Sequence, residues 1–229
     1  MLGTIVNTGT VIIGSTCGCL LKKGINEKYQ TVLYDACGLA ACGIGINSVV
    51  GNMGKSNYPV LFIVSLVIGS LLGTALGLDD KFNKIVNSRS KGNLGQGLSA
   101  AIMLFCIGTL SIMGPVMSAL YGDNTFLFTN ATLDFVTSTV LASTYGIGII
   151  LAAPVLFCWQ GAIYALTRFV SESLISNELV SELCLVGGFL IACTGITILG
   201  IKKFKTLNML PSLLIPIIFI TVKNLVFPG

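Results

Sequence analysis

Apolar residues gather in eight long runs along the chain, at about 3–21, 36–50, 59–78, 98–120, 133–150, 151–168, 184–200 and 209–226. None alternates in the manner of a half-buried strand, and most are long enough for a helix to cross a hydrocarbon core, which takes roughly 20 residues. Lipid offers backbone groups no hydrogen-bonding partner, so a spanning segment is either a helix or part of a closed barrel. A barrel would need short alternating segments, and the chain has none. The pattern therefore predicts an all-α, polytopic transmembrane helical bundle of about eight spans, in one membrane domain over residues 1–229.

The fifth and sixth runs are nearly continuous. Between Asp134 and Arg168 there is no charged residue, and the stretch contains Gly146, Gly148, Pro154 and Gly161. Either it is one long broken helix, giving seven spans, or it is two crossings with almost no loop. We place the hinge at Ala152–Pro154, since proline interrupts a continuing helix.

Composition agrees with the pattern. Hydrophobic residues make up 54% of the chain and charged residues only 10%, with a mean hydropathy of +0.91. Soluble domains carry about 25% charged residues, so this chain cannot cover itself with a water-compatible surface. No positive residue precedes the first apolar run, which we take as a retained span rather than a cleaved signal. The net charge of +4 sits in the loops and carries topology information rather than a nucleic-acid footprint. With eight spans and the N-terminus outside, ten of the thirteen basic residues fall inside; with seven spans, nine do. The polar loop at 78–96 has Leu78, Phe82, Ile85 and Val86 at helical spacing, which predicts a short interfacial helix.

Glycine supplies packing cues. Gly14 and Gly18 form one G-x-x-x-G, and Gly69, Gly73 and Gly77 repeat that spacing in the third run. Such faces let helix backbones approach closely. They serve either packing within one subunit or a homodimer seam.

The two ends of the chain also resemble each other. Asn26-Glu27 matches Asn177-Glu178, and Gly38 and Gly45-Ile46 match Gly188 and Gly195-Ile196; Lys55-Ser56 matches Lys205-Thr206, and Pro59 matches Pro211. The offsets stay between 150 and 152, and Asn7 falls near Gln160-Gly161. On this reading residues 1–79 form a first repeat of three spans, 98–150 supply two connecting spans, and 151–229 form a second repeat. With eight spans the halves are inverted, an arrangement characteristic of secondary transporters.

Candidate chemistry follows from polar residues inside apolar runs. The amides of Asn7 and Gln160 have several hydrogen-bonding sites that lipid cannot satisfy, so they face protein, water or ligand. Ser138, Ser143 and Thr144 either bond back to their own helix or line a cavity. Asp134, at the start of the fifth run, either caps a helix or serves ion or proton coupling. We take Asn7, Ser138, Ser143, Gln160 and Gly161 as candidate substrate-binding residues, Asp134 as the coupling candidate and Pro154 as the hinge. Trp159 is a pocket wall or an interfacial anchor.

Absences narrow the class. There is no histidine, which removes the commonest general base and metal ligand. The eight cysteines lie in or beside apolar runs without C-x-x-C spacing, and they behave as small apolar residues. No nucleotide-binding loop or metalloprotease spacing occurs. We expect no enzyme activity, no catalytic or metal residues and no cofactor. The expected partners are the lipid bilayer and a small solute, with no nucleic acid.

The opening MLGTIVNTGTVIIGSTCGCLLKKGI resembles the start of a bacterial membrane-protein family called YqgA- or YdfK-like. So do FCIGTLSIMGP at 105–115, LDFVTSTVLASTYGIGIILAAPVLFCWQG at 133–161 and LGIKKFKTLNMLPSLLIP at 199–216. The resemblance covers nearly the whole chain in order and spacing. It implies membership of the group carrying domain of unknown function 554 and a multi-pass place in the bacterial inner membrane, and it names no substrate. Asn7, Asp134, Ser138, Ser143, Gln160 and Gly161 are the residues it would carry over. The sequence thus points to a secondary transporter of a small polar metabolite or ion; a channel and a non-transporting scaffold are the alternatives.

Overall fold

A computed structural model describes residues 1–21, 26–81, 84, 98, 101–102, 104–106, 108–174 and 176–226. Among these every regular element is helical. The helices are α1 (Leu2–Leu20), α2 (Glu27–Met53), α3 (Leu61–Leu76), α4 (Thr109–Tyr121), α5 (Thr125–Tyr145), α6 (Ala152–Leu174), α7 (Asn177–Ile198), α8 (Thr206–Met209) and α9 (Leu214–Val226). Short 3-10 turns, Ile147–Leu151 and Leu210–Leu213, join α5 to α6 and α8 to α9. Among the described residues, six helical stretches are long and apolar enough to cross a membrane: Leu2–Leu20, Glu27–Met53, Leu104–Tyr121, Ile147–Phe169, Glu178–Ile198 and Thr206–Lys223. Leu61–Leu76 is apolar but shorter. Of the expected interfacial helix, residues 78–81 and 84 are helical, and the rest of that loop lies outside the described residues.

The chain divides into two compact units. The first comprises Met1–Gly38 and Phe82–Phe169, the second Leu39–Lys81 and Val170–Gly229.

In the first unit α1 and α5 run side by side in the same direction. Gly3 meets Leu127, Gly14 meets Phe135 and Ser138, and Gly18 meets Thr139 and Ala142. A Cβ at any of these glycines would strike its neighbour, so the small residues set how closely the helices approach. α4 runs against α5: Gly114 packs on Leu127, and Ser118 Oγ donates to Asn124 Oδ1 at 2.8 Å. Gly122, with φ of 70°, closes α4 so that the next helix can fold back. α6 runs with α4, since Gln160 reaches Ser111 and Arg168 Nη1 donates to the Ala119 carbonyl at 3.4 Å. It follows that α5 and α6 point in opposite directions.

The central stretch therefore reverses, and it does so earlier than Ala152–Pro154. α5 ends at Gly146, whose φ of 88° and ψ of −176° lie in a region essentially restricted to glycine. The 3-10 turn follows, and Pro154 sits exposed in the first turn of α6. A proline there sacrifices no intrahelical hydrogen bond. α6 then buries Ala152, Ala153, Leu156 and Gln160 along one side and exposes Val155, Phe157 and Trp159 on the other. Around the first of these lies an apolar core with Val11, Phe105, Cys106, Ala142 and Ile149.

In the second unit the pairings are antiparallel. Cys42 Sγ donates to the Ala192 carbonyl at 3.6 Å, Gly45 packs on Gly188, and Ser48 Oγ donates to the Cys184 carbonyl at 3.0 Å. Rising numbers on α2 thus meet falling numbers on α7. Likewise, Gly69 packs on Ser212 and Gly73 on Asn208, setting α3 against the α8–α9 segment. Gly77 takes a different part from the two glycines before it: with φ of 60° it terminates α3.

Candidate functional site

α5 begins at Thr125, eight residues ahead of the expected start at 133, and this changes the place of Asp134. The run Thr125–Thr132 is too polar to read as a span, yet it is helical because Asp123 Oδ1 accepts from Thr125 N at 2.9 Å and the turn launches the helix there. Asp134 is consequently the tenth residue of twenty-one in α5, not a cap. Ten residues at 1.5 Å each put it about 15 Å along the helix, near its middle. Only 4% of it is exposed.

Three buried residues, Asn130, Asp134 and Ser138, recur every four positions on α5 and so share one face. Asn130 Nδ2 donates to Asp134 Oδ2 at 2.8 Å. Ser138 Oγ donates back to the Phe135 carbonyl at 3.0 Å and lies against Gly14. Facing them, α1 buries Thr4, Asn7, Val11 and Ser15 completely, at helical spacing. The Asn7 side chain interacts with the Asp134 carboxyl outside strict hydrogen-bond geometry, and its amide oxygen has no donor. Thr4 Oγ1 and Ser15 Oγ are also without partners. Each such orphan costs roughly 1–3 kcal/mol unless something satisfies it. Neither of the two described salt bridges involves Asp134.

Gln160 stands in a second polar pair. It is fully buried, its Nε2 donates to Ser111 Oγ at 3.0 Å, and its Oε1 has no partner. The helix registers place this pair at the level of Asn7 and Asn130, because Gly114 meets Leu127 one turn away on α4 and α5. Gly161, half-buried, has the Met1 side chain beside it.

The remaining candidates lie elsewhere. Ser143 is half-buried and donates to the Val140 carbonyl at 2.7 Å; Thr144 is exposed and bonds to the same carbonyl. Pro154 faces outward. Sequence reasoning passed over Asn130, Ser111, Thr4 and Ser15. The four-residue spacing Asn130–Asp134–Ser138 was the available signal for the first, whereas Ser111 is tied to Gln160 only by the fold.

The second unit contains its own buried acid. Glu182 is fully buried in α7; its Oε1 accepts from Ser56 Oγ and its Oε2 is unpaired. One turn earlier Glu178 pairs with Lys223 at 3.2 Å.

Comparison with known proteins bears on the whole chain. A family model described as a protein of unknown function (DUF554) matches residues 2–221. An uncharacterized membrane protein, YdfK of Bacillus subtilis (strain 168), is 56% identical over 222 residues, covering 97% of this chain and 96% of the relative. The uncharacterized protein YqgA of Escherichia coli (strain K12) is 30% identical over 227 residues, covering 94% of each. No solved structure matches significantly.

Proposed function

The chain belongs to the DUF554 family of membrane proteins, and from that premise we propose that it is a secondary transporter. It would move a small polar metabolite or ion across the bacterial cytoplasmic membrane by alternating access at an inverted-repeat interface. The observation that carries this reading is the buried Asp134 at mid-helix with the Asn7 side chain against it, the Asn7 amide oxygen lacking a donor. An ionisable residue at that depth is expensive, and in membrane proteins such residues mark ion and substrate paths. Gln160 supplies a second unpaired amide oxygen at the same level.

The helix directions support the repeat. Cys42 and Ala192 are 150 residues apart, the offset of the sequence match, and they meet across antiparallel α2 and α7. An axis in the membrane plane relates matched helices in this antiparallel sense. Reversal between α5 and α6 supports eight crossings over seven. The reading involves no enzyme chemistry. A channel is the alternative, with the same polar residues lining a pore.

Purified protein in proteoliposomes, offered a broad panel of amino acids, organic acids and ions, should give gradient-dependent flux that Asn7→Ala and Gln160→Leu abolish. No flux for any of them would overturn the transporter. Planar-bilayer conductance well above turnover rates would move the assignment to a channel.

A further inference from the structure

We propose that the loop at 199–205 of the second unit, with Lys81 beside it, is a docking surface for the headgroup of an anionic phospholipid. That surface uses no residue of the buried polar sites, and it stands whether or not the protein transports a solute.

The seven residues 199–205 join two apolar stretches long enough to cross a membrane, Glu178–Ile198 and Thr206–Lys223. So short a link keeps its lysines at the level where helix ends meet lipid headgroups. The loop is also held in one shape. Gly200, with φ of 70°, turns the chain back over the end of α7, and Ile201 N donates to the Ile196 carbonyl at 3.2 Å. Phe204 N then donates to Thr197 Oγ1 at 3.1 Å, and the Lys202 ammonium lies 5.0 Å from the centre of the Phe204 ring. A loop already ordered loses less conformational entropy on binding. Lys205 pairs with Asp80 at 3.1 Å, and Asp79 N donates to Asn208 Oδ1 at 2.9 Å, which brings residues 79–81 alongside.

Charge on this surface is unbalanced. Lys81, Lys202, Lys203 and Lys205 are all exposed, and the acids beside them are Asp79 and Asp80. The Lys205–Asp80 pair is open to solvent on both sides, so salt screens it. Lys202 and Lys203 take part in neither of the described salt bridges. Lysines gathered at a membrane surface attract lipids of net negative charge. Ile201 then separates a lipid from a free anion. It is 74% exposed and immediately precedes the lysine pair. A free phosphate offers nothing to that side chain. A phospholipid offers phosphate to the lysines and acyl chain to the isoleucine at once, at the depth where the loop lies.

The test is full-length protein in a neutral detergent at low salt, titrated with phosphatidylglycerol while Tm is followed, with phosphatidylcholine and sodium phosphate as parallel titrants. Phosphatidylglycerol should raise Tm saturably, and the other two should not. Lys202→Gln combined with Lys203→Gln should weaken the apparent affinity at least about tenfold, whereas arginine at both positions should preserve it. Ile201→Ser should weaken it too, and Asp80→Asn, which frees Lys205, should strengthen it. Should the double variant not accumulate, Lys203→Gln alone and Asp80→Asn must still move the affinity in opposite directions. An equal response to phosphatidylcholine, or a response unchanged in these variants, overturns the surface. Equal stabilisation by sodium phosphate also overturns it and leaves a site for a free anion. Loss of the lipid response on adding soluble polyglutamate, with Ile201→Ser silent, would give the loop to an acidic protein partner instead.

Discussion

Asn130 and Asp134 lie one helical turn apart on α5 and are joined by a 2.8 Å hydrogen bond, with about 4% of each exposed. That bond comes from a neutral group. The arrangement orients the carboxyl without pairing it to a described basic side chain. The consequences extend to the helices that enclose it.

Gln160 tests whether the second polar pair serves ligand or architecture. Gln160→Leu removes a buried amide whose oxygen is already unpaired. Because the change also strips the buried Ser111 Oγ of its donor, it should cost about 1–3 kcal/mol, whereas Gln160→Leu combined with Ser111→Ala should be nearly neutral. Solute flux should fall at least tenfold, the worth of about 1.4 kcal/mol. A large drop in Tm with flux per folded molecule preserved would make the Gln160–Ser111 bond a structural clip.

Gly146 tests the reversal. Gly146→Ala forces a side chain onto a backbone at φ 88° and ψ −176°, at a cost of about 1–3 kcal/mol. Thermal melting in detergent should fall accordingly. Gly148→Ala, two residues on and outside the positive-φ set, should be nearly silent.

Gly18 tests the α1–α5 seam. Its Cβ would stand against the Thr139 backbone carbonyl, which cannot rotate away. Gly18→Leu should destabilise the protein by about 1–3 kcal/mol or more, as overpacking does, read as loss of Tm and of monodisperse elution. If the variant keeps its Tm and changes only its oligomeric state, the glycine face is an interface between copies.

Membrane orientation gives a fourth prediction. Reporter fusions ending at Asp123 and at Ser176 should report the outer side, and one ending at Lys202 the inner side. Opposite sides for the first two would restore a seven-span chain.

Much of the architecture was legible because lipid imposes a strong rule on sequence: each apolar run must be a helix, and each described run is helical. The ends of those helices were less so. Polar residues at 125–132 hid the first two turns of α5, and with them the mid-helix position of Asp134. Pro154 drew attention away from Gly146, because a proline in a first helical turn looks in sequence like a break. Asn7, Asp134 and Gln160 stood out as polar residues in apolar surroundings. Their partners did not: Ser111 is 49 residues from Gln160, and only the parallel run of α4 and α6 brings them together.

The Ile147–Leu151 turn also bears on how the protein is made. It is apolar, largely uncharged at both flanks, and Ile147 and Leu151 are exposed. Insertion machinery that sorts loops by basic residues finds nothing to read there. α5 is not among the long helices apolar enough to cross a membrane by themselves, so it would partition poorly alone. The two helices should therefore leave the translocon together as a hairpin, α6 carrying α5 and its buried carboxylate into the bilayer in one step.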